Sequence, residues 1–193
     1  MSIPEALVTQ IKSLRETDPV RGELYSSLLD SNIETDYVRV FFMACERGDQ
    51  DIVRWICSLR VIDIHMRDDY GFRRACYRGH ETLAKWLYSL GGVDSHAEDD
   101  YAFISACEYG HETLAKWLYS LGDVYIHTRK DYAFRWACTN GHETIAKWLY
   151  SLGGVDIHAR NDDALVKSHK NGHISITKWL YSLDRAKGIE IRV

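Results

Sequence analysis

The sequence predicts an all-α solenoid of stacked antiparallel helix pairs joined by short turns, and three observations predict it. Trp55, Trp86, Trp117, Trp148 and Trp179 follow one another at a constant step of 31 residues. Cys45 to Cys138, Phe41 to Phe134 and Gly48 to Gly172 keep the same step, and a fixed period of this size marks a repeat array. Within each period two apolar stripes with helical spacing are separated by a glycine.

Residues 1–35 lack the repeat motifs and are expected to form an N-terminal helical cap. Pro4 should open a helix carrying Leu7, Ile11 and Leu14 on one side. Asp18-Pro19 looks like an N-cap followed by proline at the first helical position. Val20, Leu24, Leu28 and Leu29 then form a second stripe. Four repeats follow at 36–66, 67–97, 98–128 and 129–159, and 160–193 is expected to be a C-terminal capping repeat and tail. The last unit suits a cap because it exchanges Cys for His169 and adds Lys167 and Lys170, and terminal repeats need a polar outer face. The whole chain, 1–193, is thus one repeat domain.

The unit beginning at Asp131 shows how each part is made. Ala133, Phe134, Ala137 and Cys138 fit one face of a first helix, with Asp131 expected as its N-cap. Gly141 separates it from a second helix, whose stripe is Ile145, Ala146, Trp148, Leu149 and Leu152. Gly153 should end that helix as a left-handed C-cap. No segment alternates with period two, which argues against strands. One such pair cannot bury its stripe alone, so stability comes from contacts between neighbours.

These residues carry a family resemblance. Gly141-His142, two residues, Ile145-Ala146, two residues, Leu149-Tyr150, two residues and Gly153 resemble the second half of an ankyrin repeat. Val155-Asp156-Ile157-His158-Ala159 resembles that family's loop, with His158 where Asn is usual. The resemblance runs from Asp36 to Asp184. It departs where Tyr132-Ala133-Phe134-Arg135 replaces the usual Thr-Pro-Leu-His, and in a period of 31 rather than about 33. Shortened finger turns are the expected consequence. The self-similar units with openings such as Asp131-Tyr-Ala-Phe-Arg are also similar to ankyrin proteins of very large DNA viruses, which would make the partner a host protein.

The composition excludes several functions. A formal charge of −4 with 24 basic and 28 acidic residues does not suggest a nucleic-acid binder. No apolar run reaches the roughly 18 residues of a membrane span, and Met1 to Glu5 does not look like the start of a secretory signal. An intracellular protein, cytoplasmic or nuclear, is expected. Equivalent residues of stacked units lie roughly 8–10 Å apart, too far for a disulfide or for ligands converging on zinc. Cys45, Cys76, Cys107 and Cys138 therefore read as small core residues, and no metal or cofactor is expected. The ladders His80, His111, His142, His173 and His65, His96, His127, His158 read as capping and turn residues, and the Trp ladder as core. No nucleophile elbow, phosphate loop or paired-carboxylate motif is present, so no enzymatic activity is expected.

Variation among the units marks positions free of stacking duty. One column of the first helix holds Met43, Arg74, Ser105, Trp136 and Lys167; another holds Phe42, Arg73, Ile104, Arg135 and Val166. A third holds Glu46, Tyr77, Glu108, Thr139 and Lys170, and a fourth Arg47, Arg78, Tyr109, Asn140 and Asn171. The ankyrin resemblance implies that this face and the turn tips line a concave groove. The expected partner-binding residues are Arg73, Arg74, Tyr77, Arg78, Ser105, Glu108, Tyr109, Arg135, Trp136, Thr139, Asn140, Lys167 and Lys170. Arg, Tyr and Trp are the types enriched at binding hot spots. Residues 98–128 carry a net charge of −5 and 160–193 of +3, which favours a partner of mixed charge. The expected function is a monomeric protein-interaction scaffold. The alternative is a self-assembling structural repeat protein, virion-associated under the viral resemblance, with no separate client.

Overall fold

A computed structural model describes residues 5–26 and 37–186. Among them are twelve helices and no strand. Contacts group the chain into two compact units, Met1–Ala75 with Thr82–Val93, and Cys76–Glu81 with Asp94–Val193.

The first unit holds α1 (Glu5–Thr17), α2 (Pro19–Ser26), α3 (Tyr37–Arg47) and α4 (Gln50–Leu59), most of α5 (Met66–Tyr77) and nearly all of α6 (Glu81–Ser89). Leu7 and Ile11 of the predicted first stripe are buried. Pro4, Leu28 and Leu29 lie outside the described residues, as do the side chains of Leu14, Val20 and Leu24. Two polar contacts tie this cap to the helix pair after it. The buried Tyr25 hydroxyl donates to Asp49 Oδ2 at 2.6 Å, and Arg47 pairs with Asp18 at 3.1 Å. The core of α3 and α4 is Val40, Phe41, Ala44, Cys45, Ile52, Val53 and Ile56.

The second unit holds α7 (Ala97–Glu108), α8 (Glu112–Ser120), α9 (Thr128–Thr139), α10 (Glu143–Ser151), α11 (Ala159–Lys170) and α12 (Ile174–Ala186). Each first helix pairs with its second helix, and α9 also packs on α7 and α11. The predicted stripes supply the core, with Ala133, Phe134, Ala137, Cys138, Ile145, Ala146 and Leu149 all at most 2% exposed. The four ladder cysteines are buried, and burial pushes their thiols up. Gly153 has φ 92° and donates to the Tyr150 carbonyl, the left-handed helix ending expected of it. In α4 the equivalent residue is Arg60, itself left-handed at φ 54°.

Three expectations need correction. The first helices do not open with an Asp N-cap. Just after their first residue, α5, α7, α9 and α11 each carry three consecutive left-handed residues: Arg67-Asp68-Asp69, Glu98-Asp99-Asp100, Arg129-Lys130-Asp131 and Arg160-Asn161-Asp162. Such residues cost about 1–2 kcal/mol apiece without compensation. Here the third is always Asp, and its Oδ1 meets the Nδ1 of the His four residues earlier at 2.6 Å. The same His carbonyl accepts the Asp N–H. In the second unit the other carboxylate oxygen of Asp131 accepts the N–H of Asp156 in the following loop.

The histidines after the glycine turns do not cap their own helices either. His111 and His142 stand at the N-cap positions of α8 and α10 without a side-chain capping bond. His111 Nε2 lies 3.1 Å from the Tyr77 carbonyl, and His142 reaches the Glu108 backbone in the same way. The rings lie against the preceding glycines: a Cβ on Gly110, at φ 83°, would stand 2.6 Å from His142 Nδ1. Finally, the Trp ladder is not core. Trp55 is buried, but Trp86, Trp117, Trp148 and Trp179 are half-buried, and in the second unit Trp148 and Trp179 lie along a seam between second helices. Trp148 meets Tyr119 edge-on at 5.5 Å with Lys116 Nζ over it at 5.9 Å, and Trp179 repeats this with Tyr150 and Lys147.

Candidate surface for a protein partner

The variable columns of the first helices fall into two groups once their surroundings are known. Ser105, Arg135 and Thr139 are buried, at 2%, 2% and 6% exposure, so the expectation that they lie on an accessible face is corrected. Ser105 and Thr139 donate their hydroxyls to the carbonyls of Tyr101 and Arg135 in their own helices. Arg135 turns back over the left-handed turn. Its Nε and Nη2 donate to the carbonyls of Lys130 and Arg129, and its Nη1 meets Asp163 Oδ2 at 2.6 Å. Arg73 in the first unit does the same to Asp68 and Arg67. Long side chains at this column thus satisfy carbonyls that the left-handed turn leaves open. Asn140 donates its amide to the Glu108 carbonyl one repeat earlier at 2.8 Å, and Asn171 to that of Thr139. These asparagines stitch one unit to the next.

The rest remain outward. In the second unit Trp136 is half-buried, with Tyr132 beside it at 5.6 Å and Lys167 Nζ over its ring at 4.9 Å. Lys167 is also paired with Asp163 at 2.9 Å. Burial works against ionisation of Asp163, yet the hydrogen bonds from Lys167 and Arg135 outweigh it and hold its carboxyl below the ordinary range. Arg135, Asp163, Lys167 and Trp136 therefore form one linked cluster across α9 and α11. Tyr77 and Tyr109 meet at 4.4 Å between ring centres, tilted by 58°, with the Arg78 guanidinium over Tyr77 at 5.1 Å. The bond to Tyr77 raises the Tyr109 phenol, with burial second. Glu108 is half-buried and its carboxyl is raised by burial; Lys170 is exposed. In the first unit Arg74 pairs with Glu46 at 2.7 Å and lies over Tyr70.

The sequence did not single out Tyr132, because Tyr70, Tyr101 and Tyr132 form a nearly constant column, whereas Asp163 belongs to the variable turn tips Asp68-Asp69, Asp99-Asp100, Lys130-Asp131 and Asp162-Asp163. It also missed Tyr125, 64% exposed. Comparing loop columns as the helix columns were compared would have found it: Asp63, Asp94 and Asp156 share its place. The described residues hold no group of three or more His, Cys, Asp or Glu disposed to bind a metal ion. No described helix is long and apolar enough to cross a membrane.

The family model for ankyrin repeats (3 copies) matches residues 72–161 and again 103–192, together more than half of the chain. No curated protein matches it.

Proposed function

The chain belongs to the ankyrin-repeat family, whose repeats are in general protein–protein interaction modules, and from that premise we propose that it is a scaffold binding a partner protein through the first-helix face. The observation that carries this reading is the pairing of Trp136 with Lys167 across two successive repeats. Both belong to a column that holds Ser105 and Arg74 elsewhere, so stacking does not require them, and Trp is among the residue types enriched at binding hot spots. The contributing residues are Trp136, Lys167, Lys170, Glu108, Tyr109, Tyr77 and Arg78 of the second unit. Ser105, Arg135, Thr139 and Asn140 support this face from behind. The role is binding without catalysis, and the viral resemblance favours a host-cell protein as client.

Affinity capture from cell lysate tests it. The parent chain and Lys116→Ala, altered on the second-helix face, should retain the same protein, and Trp136→Ala and Lys167→Glu should each lose it. An unchanged set of bound proteins in both first-helix variants would refute the reading.

A further inference from the structure

A second surface of the same unit departs from its sister repeats in three places at once. Asp63, Asp94 and Asp156 each accept the N–H of the His two residues on, at 2.9, 2.9 and 3.0 Å. This side-chain turn fixes the loop. Tyr125 occupies the same column and cannot make that bond; its ring stands 64% exposed, 5.5 Å from the His127 ring and nearly perpendicular to it at 75°. Two residues earlier, Asp123 stands where two of the sister loops have glycine and sits at φ 56°, where Gly92 and Gly154 have φ 77° and 74°.

The third departure is electrostatic. Asp99 and Arg129, thirty residues apart in successive turns, pair at 2.9 Å. One repeat later the equivalent positions hold Lys130 and Arg160, a cation in place of the anion. Both are exposed, and neither forms an ion pair with a described residue. They line one polar groove with Tyr125, His127, Asp131 and Asp156. The two carboxylates in that groove are already engaged. Asp131 binds His127 and the Asp156 N–H, and Asp156 accepts the His158 N–H. A lost turn bond, a left-handed Asp and two adjacent unneutralised cations are each locally unfavourable, and uncompensated departures from a chain's own pattern mark function.

We infer that this groove binds an acidic segment of a partner protein, with an Asp or Glu carboxylate held between Lys130 and Arg160 and an adjoining apolar side chain laid on Tyr125. The exposed Asp99 and Asp123 flank the site, and residues 98–128 carry a net charge of −5. That setting admits a localised anion and repels a continuous polyanion such as a nucleic acid. The inference rests on the scaffold reading but uses side chains, Tyr125, Lys130 and Arg160, that the first-helix face does not.

The test uses variants that restore what sister repeats carry. Tyr125→Asn re-creates the side-chain turn, and Lys130→Asp re-creates the Asp99–Arg129 pairing. Both should melt at or above the parent temperature, so that lost binding is not lost folding. A displayed library of random peptides is selected on the intact chain. Selected peptides should carry Asp or Glu beside a Leu, Phe or similar residue. They should weaken about tenfold or more on either variant, and should bind Trp136→Ala as they bind the parent. Peptides without acidic residues, or equal binding to both variants, would overturn the inference. So would a single-stranded oligonucleotide that binds the parent and is lost in the same variants. A protein client lost on Trp136→Ala but unaffected by Tyr125→Asn and Lys130→Asp would remove this site and leave the scaffold reading standing.

Discussion

His127 and Asp131 stand four residues apart in the chain and meet at 2.6 Å between Nδ1 and Oδ1, with three left-handed residues ending at the Asp itself. The pair recurs as His65–Asp69, His96–Asp100 and His158–Asp162. It holds the short turn that takes the place of a longer finger.

Asp131→Ala should therefore be costly. It removes the partner of His127 and the acceptor of the Asp156 N–H at a site 5% exposed. A loss of about 2–3 kcal/mol is expected from urea melts. Asp99→Ala in the preceding turn breaks only an exposed pair with Arg129 and should cost under about 1 kcal/mol. Equal losses would mean that the His–Asp bond does not hold the turn.

Arg135 and Asp163 offer a sharper comparison, because the array contains its own apolar counterpart. The column of Arg135 holds Ile104 one unit earlier, and the column of Asp163 holds Tyr132. Arg135→Ile leaves Asp163 with Lys167 alone and opens the carbonyls of Arg129 and Lys130. The single change should cost about 3 kcal/mol, as breaking a buried pair does. Arg135→Ile with Asp163→Tyr imports the neighbouring solution and should recover most of that loss, a coupling that a double-mutant cycle measures. Additive losses would show that the pair is not the source of the effect.

His158 makes stability depend on pH. Its hydrogen bond to Asp162 raises its pKa, reinforced by Asp184 and Asp156 against a smaller effect of burial. The folded chain thus binds the proton more tightly than the unfolded one. The contribution is fully present below the ordinary histidine value and is lost as pH rises through the raised value. His142 is shifted the other way, mainly by burial, and opposes folding as pH falls below the ordinary value. Melting temperatures of the parent and His158→Gln should differ most in mild acid and converge at alkaline pH. His142→Gln should gain on the parent only on the acid side. Parallel curves for all three proteins would exclude both assignments.

The helix pairs were legible in the sequence because burial is periodic: Ala133, Phe134, Ala137 and Cys138 in one helix, and Ile145, Ala146 and Leu149 in the next, lie at helical spacing and are buried as expected. The His-to-Asp turns were not, since residues such as Lys130 and Asp131 have ordinary turn chemistry, and a left-handed run gives no periodic signal. The variable columns were legible as variable but not as exposed. A column can change because one member faces outward, as Trp136 does, or because one member has found a different internal partner, as Arg135 and Asn140 have. Only the neighbouring carbonyls and carboxylates distinguish the two, and these come from residues 5 to 32 positions away.

Trp136 and Trp148 test that distinction on one residue type. Both are half-buried, so exposure does not separate them, but their surroundings do. Trp148 sits in a column that is Trp in every unit, packed against Tyr119 and Phe103 beneath Lys116. Removing it opens the seam between second helices, and Trp148→Ala should cost about 2–3 kcal/mol, below the range for a fully buried Trp. Trp136 touches Tyr132 and Lys167 on a surface its column does not require. Trp136→Ala forfeits one ring contact and one cation–π pair, about 1 kcal/mol. Against a bound partner the order should reverse: Trp136→Ala should weaken capture about tenfold or more, while Trp148→Ala, assayed well below its melting point, should leave it within about twofold. Urea melts give the first ranking without a partner. Should Trp136→Ala prove as destabilising as Trp148→Ala, Trp136 belongs to the stack, and the first-helix face loses its central anchor.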